Sequence, residues 1–216
     1  MKIVAHRGWS AGPMENALAA FRQGMRHPDL DGLEFDVRRH PNGELVVVHD
    51  PPAHNENPPT FDDVLSLLRD CDKELFIELK DEDLFSDALK SVRQFGLVKR
   101  SVIFGFPKVA NTFPWQEPRP IRLGIIGHLP WQAPGIAARY RPDVMMTGHD
   151  YRWWVKAIFR LWWTTFKLRR LATLADAPLM TGICKTKDDW AWMERKGADY
   201  VTVDMPADTN FTTSGA

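Results

Sequence analysis

Short apolar runs alternate with stretches of helical apolar spacing along almost the whole chain. The runs at 3–5, 33–37, 45–48, 75–79, 102–105, 123–126, 144–146, 179–183 and 200–203 have the length and the polar boundaries of strands. Between them, 15–26, 61–69, 83–95, 134–140, 152–174 and 187–196 carry apolar residues three and four apart and read as helices. Several ends are marked. Thr60 precedes Phe61-Asp62-Asp63, a cap followed by first-turn acids that suit the helix dipole. Gly96 and Gly197 stand where helices should stop.

Strands that alternate with helices predict a parallel sheet. Eight or nine such units in 216 residues predict a closed sheet, an α/β fold of the TIM-like (β/α)8 barrel type. We expect one domain over 1–208 and a frayed tail over 209–216. Nine strands are one too many for such a barrel. The stretch 33–48 joins two of them through His40-Pro41-Asn42-Gly43, and Asn-Gly is a strong hairpin signal. One strand there is therefore an antiparallel partner or an extension.

Composition narrows the class. Hydrophobic residues make up 44% and charged residues 26%, which is globular. The 28 basic and 28 acidic residues cancel, so no global field draws the chain to nucleic acid, and none is expected as a partner. Cys71 and Cys184 are isolated from each other in sequence and read as reduced thiols of a cytoplasmic protein. The opening MKIVAHRGW enters a strand with no apolar signal core. No run approaches the roughly 20 apolar residues of a membrane-spanning helix.

In a parallel barrel the functional groups gather where strands end. The first strand ends in His6-Arg7-Gly8, the second carries Glu34 and Asp36, the third ends in His49-Asp50, and the fourth carries Glu78 and Lys80. Glu34 and Asp36 are two apart, so a strand points both to one face, and Glu78 and Lys80 share a face by the same rule. Facing inward, three carboxylates would crowd one mouth and repel. A hard divalent cation relieves that, and oxygen donors suit Mg²⁺ or Ca²⁺. With the cation, Arg7 and Lys80 would favour an anionic ligand such as phosphate. His6 and His49 could then act as acid and base near neutral pH. The other histidines lack a partner in the pattern; His149-Asp150 follows a strand and could reach the mouth, but a loop residue is the preferred reading.

Residues 151–174 read YRWWVKAIFRLWWTTFKLRRLATL, with basic residues interleaved among four tryptophans and no acid. One reading is a barrel helix whose apolar face lies on the sheet under a basic solvated cover. The other is an interfacial helix that makes peripheral membrane contact.

On these residues the chain resembles the glycerophosphodiester phosphodiesterase family. The matching segments are AHRGWSAGPMENALAAF, LEFDV, GELVVVHD and FIELK, and more weakly GADYVTVDMP. The resemblance implies a barrel that hydrolyses glycerophosphodiesters to an alcohol and glycerol phosphate with a divalent metal. It implies Glu34, Asp36 and Glu78 as metal ligands, His6 and His49 as acid and base, Arg7 as phosphate contact and Lys80 as a second cation. Glu15-Asn16 matches the family's Glu-Asn, supporting the loop of His6. It also implies that a substrate hydroxyl beside the phosphate attacks first and that water then opens the cyclic product. Departures bear on the substrate. The family's cap insertion after His-Asp is nearly absent, with only 51–60 before the next helix. Gly105-Phe106 replaces a Ser-Phe, and 182–185 lacks the tryptophan that walls the family's pocket. A small-molecule or lipid-derived diester fits these residues. So do two alternatives: a lysophospholipase D-like enzyme at a membrane, and a non-catalytic barrel that binds phosphorylated ligands.

Overall fold

The computed structural model describes residues 1–9, 14–127, 132–149, 152–166, 173 and 176–204. Among these the strands are β1 (Lys2–Ala5), β2 (Gly32–Arg39), β3 (Leu45–Val47), β4 (Glu74–Leu79), β5 (Ser101–Gly105), β6 (Arg122–Ile126), β7 (Val144–Gly148), β8 (Leu179–Cys184) and β9 (Tyr200–Val203). The α-helices are α1 (Leu18–Arg26), α2 (Phe61–Leu68), α3 (Phe85–Gln94), α4 (Pro107–Ala110), α5 (Ala133–Tyr140), α6 (Trp153–Phe166) and α7 (Lys187–Arg195).

The strands pair in the order β1, β2, β4, β5, β6, β7, β8, β9, and β9 pairs again with β1. Every pairing in that ring is parallel, so the expected barrel is present and closed. The ninth strand is β3. It runs antiparallel to the outer half of β2, with Val37 opposite Val47 and Arg39 opposite Leu45. The Asn42-Gly43 turn makes the hairpin, as its sequence signals. His49 therefore comes from the returning arm of a hairpin. It does not come from a third barrel strand, as the chain order suggested.

Alternation along each strand sorts the core into two layers. On β2, Leu33, Phe35 and Val37 point out to the helices, where Phe35 meets the Phe21 ring edge-on at 5.4 Å. On β4, Leu75, Ile77 and Leu79 do the same, while Phe76 points into the barrel with Val4, Val102, Val144 and Met180. Both faces of the sheet are thus apolar over most of its depth, which is why its strands read as unbroken apolar runs. The charged residues replace this filling at the mouth.

Helix boundaries differ from the periodicity where loops serve the site. The helix expected over 15–26 begins only at Leu18. Asn16 stands at φ 61°, and its amide donates to Asp36 Oδ2 over 2.9 Å, so 15–17 belongs to the site loop. The helix expected from Asp83 begins at Phe85, because Asp83 takes φ 65°. Thr60 caps α2 as expected, its hydroxyl accepting from the Asp63 N–H. The short α4 has too few turns to show a period. Of the helix expected over 152–174, α6 accounts for 153–166, and residues 167–172, 174 and 175 lie outside the described set, as does the expected tail 209–216.

Candidate active site

After β1 the chain turns tightly through His6-Arg7-Gly8, with positive φ at Arg7 (50°), Gly8 (85°) and Trp9 (84°). The turn aims the Arg7 N–H at Glu34 Oε2, 3.1 Å away. Gly8 is required twice over. Its φ suits only glycine comfortably, and a Cβ there would stand 2.9 Å from the Phe21 ring. Gly8→Ala should therefore lower stability by about 1–3 kcal/mol and loosen Arg7. Thermal unfolding checks this, and an unchanged midpoint would contradict the assigned geometry.

Glu34 and Asp36 point inward from β2, and Asp36 lies directly opposite Glu78 of β4 in register. Glu34, Asp36 and Glu78 are buried, and each offers an oxygen within 4.8 Å of the others. Lys80 Nζ sits between two of them, 2.8 Å from Asp36 Oδ1 and 2.6 Å from Glu78 Oε1. Arg7 Nε lies 3.1 Å from Asp36 Oδ2, and its guanidinium also pairs with Glu15.

The charges do not balance, and burial and neighbouring charge shift the carboxylates unequally. Burial and the Asp36 charge push Glu34 up to about 8. Burial lifts Glu78 as well, against the pull of Lys80. Asp36 goes the other way: burial would raise it, but Lys80 and Arg7 together outweigh burial and hold it below the usual carboxylate range. Glu34 is thus the carboxylate the two cations leave uncompensated. Three oxygen donors at one spot, one of them short of positive charge, fit a hard divalent cation and could hold one.

His6 is buried, with Nδ1 2.6 Å from Asp204 Oδ1 and Nε2 3.9 Å from Glu34 Oε2. Burial opposes its charge, but the Asp204 hydrogen bond and the Glu34 charge prevail and raise it above the ordinary 6.5. His49 is 44% exposed, with Nδ1 2.9 Å from Asp50 Oδ1. Burial of its inner part and the charges of Arg7 and Lys80 lower it below 6.5. Arg38 anchors this loop by donating to the His49 carbonyl at 2.7 Å while pairing with Asp81. The two imidazoles are thus driven in opposite directions.

All the expected site residues except Asp36 line one cavity of about 410 Å³. Asp36 lies beneath it, joined to the lining through Arg7 and Lys80. One side is charged: His6, Arg7, Glu34, His49, Glu78 and Lys80. The other is mostly apolar: Phe104, Phe106, Ile126, Met146, Met180 and Ile183, with the hydroxyls of Thr147, Thr181 and Thr202 among them. His149, read from the sequence as a loop histidine, is buried and lines the same cavity, because it follows the end of β7 at the mouth. Asp204 was the other omission. β9 pairs with β1, Val203 opposite Ala5, so the residue after each strand falls beside the other's. Applying the strand-end rule to the last strand would have found it.

These features define a class, a parallel (β/α)8 barrel with an acidic cluster and two histidines at its mouth. Residues 6–54 match the profile of the Glycerophosphoryl diester phosphodiesterase family. A glycerophosphodiester phosphodiesterase of Caldanaerobacter subterraneus subsp. tengcongensis is 46% identical over 48 residues, 22% of this chain and 19% of that protein. The probable glycerophosphodiester phosphodiesterase 1 of Mycobacterium tuberculosis is 48% identical over 48 residues, 22% of this chain and 17% of that one. The matched stretch thus spans only about a fifth of these relatives. The fold likeness runs through the whole chain. A glycerophosphodiester phosphodiesterase from Parabacteroides distasonis superposes with a TM-score of 0.72 at 19% identity, covering 96% of this chain and 94% of that one. An Oleispira antarctica phosphodiesterase in complex with the product sn-glycerol-3-phosphate gives 0.69 at 16% identity, covering 95% and 94%. The family's signature is thus carried by residues 6–54, and the fold of the chain is like that of solved glycerophosphodiester phosphodiesterases.

Proposed function

We propose that this chain is a phosphoric diester hydrolase that cleaves glycerophosphodiesters to an alcohol and glycerol phosphate. The observation that carries the reading is the convergence of Glu34, Asp36 and Glu78 with His6, His49 and Arg7 at one barrel mouth. Glu34, Asp36 and Glu78 would hold a divalent cation, Mg²⁺ or Ca²⁺. Bound there, the ion supplies positive charge that offsets the charge developing on the phosphoryl oxygens. Arg7 and Lys80 hold the phosphate beside it.

The opposed shifts of the histidines support a division of labour. His49, lowered, is neutral and accepts the proton of the substrate hydroxyl beside the phosphate as that oxygen attacks phosphorus. His6, raised through Asp204, gives its proton to the departing alcohol oxygen. Water then opens the cyclic phosphate, with the two proton transfers reversed. That the Oleispira phosphodiesterase is found with sn-glycerol-3-phosphate supports glycerol phosphate as the product. The free thiols of Cys71 and Cys184 support a reducing, cytoplasmic setting.

One observation favours a second reading within the same chemistry. The far wall of the cavity is mostly apolar, with Phe104, Phe106, Ile126, Met146, Met180 and Ile183 outweighing its threonines, and suits the hydrocarbon of a lysophospholipid. A screen of glycerophosphocholine, glycerophosphoethanolamine and lysophosphatidylcholine, with and without chelator, tests both. Release of glycerol phosphate is expected from the first two, and lysophosphatidic acid from the third if the wall holds a chain. No turnover of any diester at saturating metal would leave a non-catalytic phosphoryl-binding barrel.

A further inference from the structure

The inner face of α6 packs as a barrel helix should. Phe159 and Trp163 are buried and stack at 5.6 Å, and Trp163 meets Trp192 of α7 at 5.8 Å. The outer face does not follow. Trp153 is 80% exposed, Leu161 64%, Trp154 45% and Ile158 37%. Among the described residues these are four of the six large hydrophobic side chains that face solvent. Positions 154, 158 and 161 recur on one side of a helix, with Trp153 beside them at its start, so the four form a stripe.

The cations of α6 are arranged around this stripe. Lys156 and Arg160 turn to Asp189 of α7, with Arg160 Nη2 2.9 Å from its Oδ1. They border the apolar face and leave it open. Arg152 lies at the start of the helix with its guanidinium over the Trp154 ring, 4.8 Å from the centroid. From 151 to 175 the chain has no acidic residue, although its formal net charge is zero. Positive charge and exposed tryptophan are thus concentrated in one segment.

That segment begins at the mouth. β7 ends there, the next residue, His149, lines the cavity, and its ring meets Phe159 of α6 at 5.1 Å. Trp153 and Trp154 open the helix that follows this strand, and the cavity wall at the strand ends, formed in part by Met146, Met180 and Ile183, is largely apolar.

We propose that the exposed face of α6 seats the protein on an anionic lipid surface, with the barrel mouth turned toward it. Tryptophan and arginine together suit the boundary between headgroups and acyl chains, where an apolar ring body meets a polar edge and a phosphate. A second copy of this chain fits worse, since an isologous contact would set the basic, acid-free segment against itself. The proposal takes from the proposed function only that substrate enters at the mouth. It deepens that reading by naming the surface from which a lipid-derived diester arrives.

Sedimentation of the full chain with vesicles tests it, using phosphatidylcholine alone and phosphatidylcholine mixed with phosphatidylglycerol, at low and high salt. We expect the protein to pellet with the mixed vesicles at low salt, and less with phosphatidylcholine or at high salt. The triple variant Trp153→Ser, Trp154→Ser, Leu161→Ser should lose about tenfold or more in partitioning. It should hydrolyse soluble glycerophosphocholine at the parent rate. Leu161→Asp alone is a second, milder variant and should weaken binding in the same direction. A parent that stays in the supernatant overturns the proposal. So does vesicle binding that both variants retain, or a dimer in sedimentation velocity that the triple variant abolishes without any vesicle binding. Because pelleting needs no turnover, a chain that binds vesicles yet cleaves no diester leaves this inference standing and removes only the enzymatic reading.

Discussion

His6→Ala lowers turnover of a glycerophosphodiester by roughly a hundred- to ten-thousand-fold, and His49→Ala does the same, the range spanned by loss of a positioned proton-transfer group. Steady-state release of glycerol phosphate measures both. The two variants should differ in how they fail. Under the proposed division of labour the parent requires neutral His49 and protonated His6. His49 is lowered from 6.5, so activity falls on the acid side below that value. His6 is raised from 6.5, so activity falls on the alkaline side above it. The optimum therefore spans pH 6.5, between the two limbs. His49→Ala should remove the acid limb from the residual activity, and His6→Ala the alkaline limb. Asp204→Asn withdraws the acceptor that holds the His6 proton, so it should move the alkaline limb toward lower pH while retaining more activity than His6→Ala. The folds should survive. His49 is half exposed and costs little, while removing His6 takes a hydrogen-bond partner from the buried Asp204, at a cost of about 1–3 kcal/mol. If either alanine variant kept more than a tenth of parental turnover, the proton-transfer assignment would fail.

Removing divalent cations with a chelator should reduce turnover to background, and adding back Mg²⁺ or Ca²⁺ should restore it; comparing the two ions identifies the preferred one. Glu34→Ala should weaken metal affinity about tenfold or more, since it deletes one of the three oxygen donors that the described residues bring to the cluster. The pH dependence of metal uptake is the sharper test. Without a cation, Glu34 holds its proton up to about 8. An incoming ion must displace that proton, so affinity rises with pH below about 8 and levels off above it. Calorimetry in two buffers of different ionisation enthalpy should show proton release on binding at neutral pH, and Glu34→Ala should reduce it. Full activity in the presence of excess chelator would refute the cation's role.

The exposed stripe on α6 shows how one sequence pattern can divide between two faces. The helix 152–174 offered either a basic cover over an apolar inner face or an interfacial face. The structure combines parts of both. Phe159 and Trp163 do pack inward, but Lys156 and Arg160 reach sideways to Asp189, and the outward positions are Trp153, Trp154, Ile158 and Leu161. Helical spacing places residues on faces but does not say which face a neighbouring carboxylate will claim. Asp189 comes from the next helix, so no window on α6 alone contains it.

Local sequence was enough for the repeated strand–helix order, the Asn-Gly hairpin, the α2 cap and the shared face of Glu34 and Asp36, because each depends on contacts a few residues apart or on the two-residue period of a strand. Assembly of the sheet is what set Asp36 opposite Glu78, brought Asp204 from the far end of the chain to His6 and made His149 part of the cavity. The apolar half of the cavity belongs to the same category, since Phe104, Ile126, Met146 and Met180 look like ordinary core until the strand ends meet. Register between strands far apart in sequence fixes these neighbours, and register is a property of the whole ring of hydrogen bonds, not of any one segment.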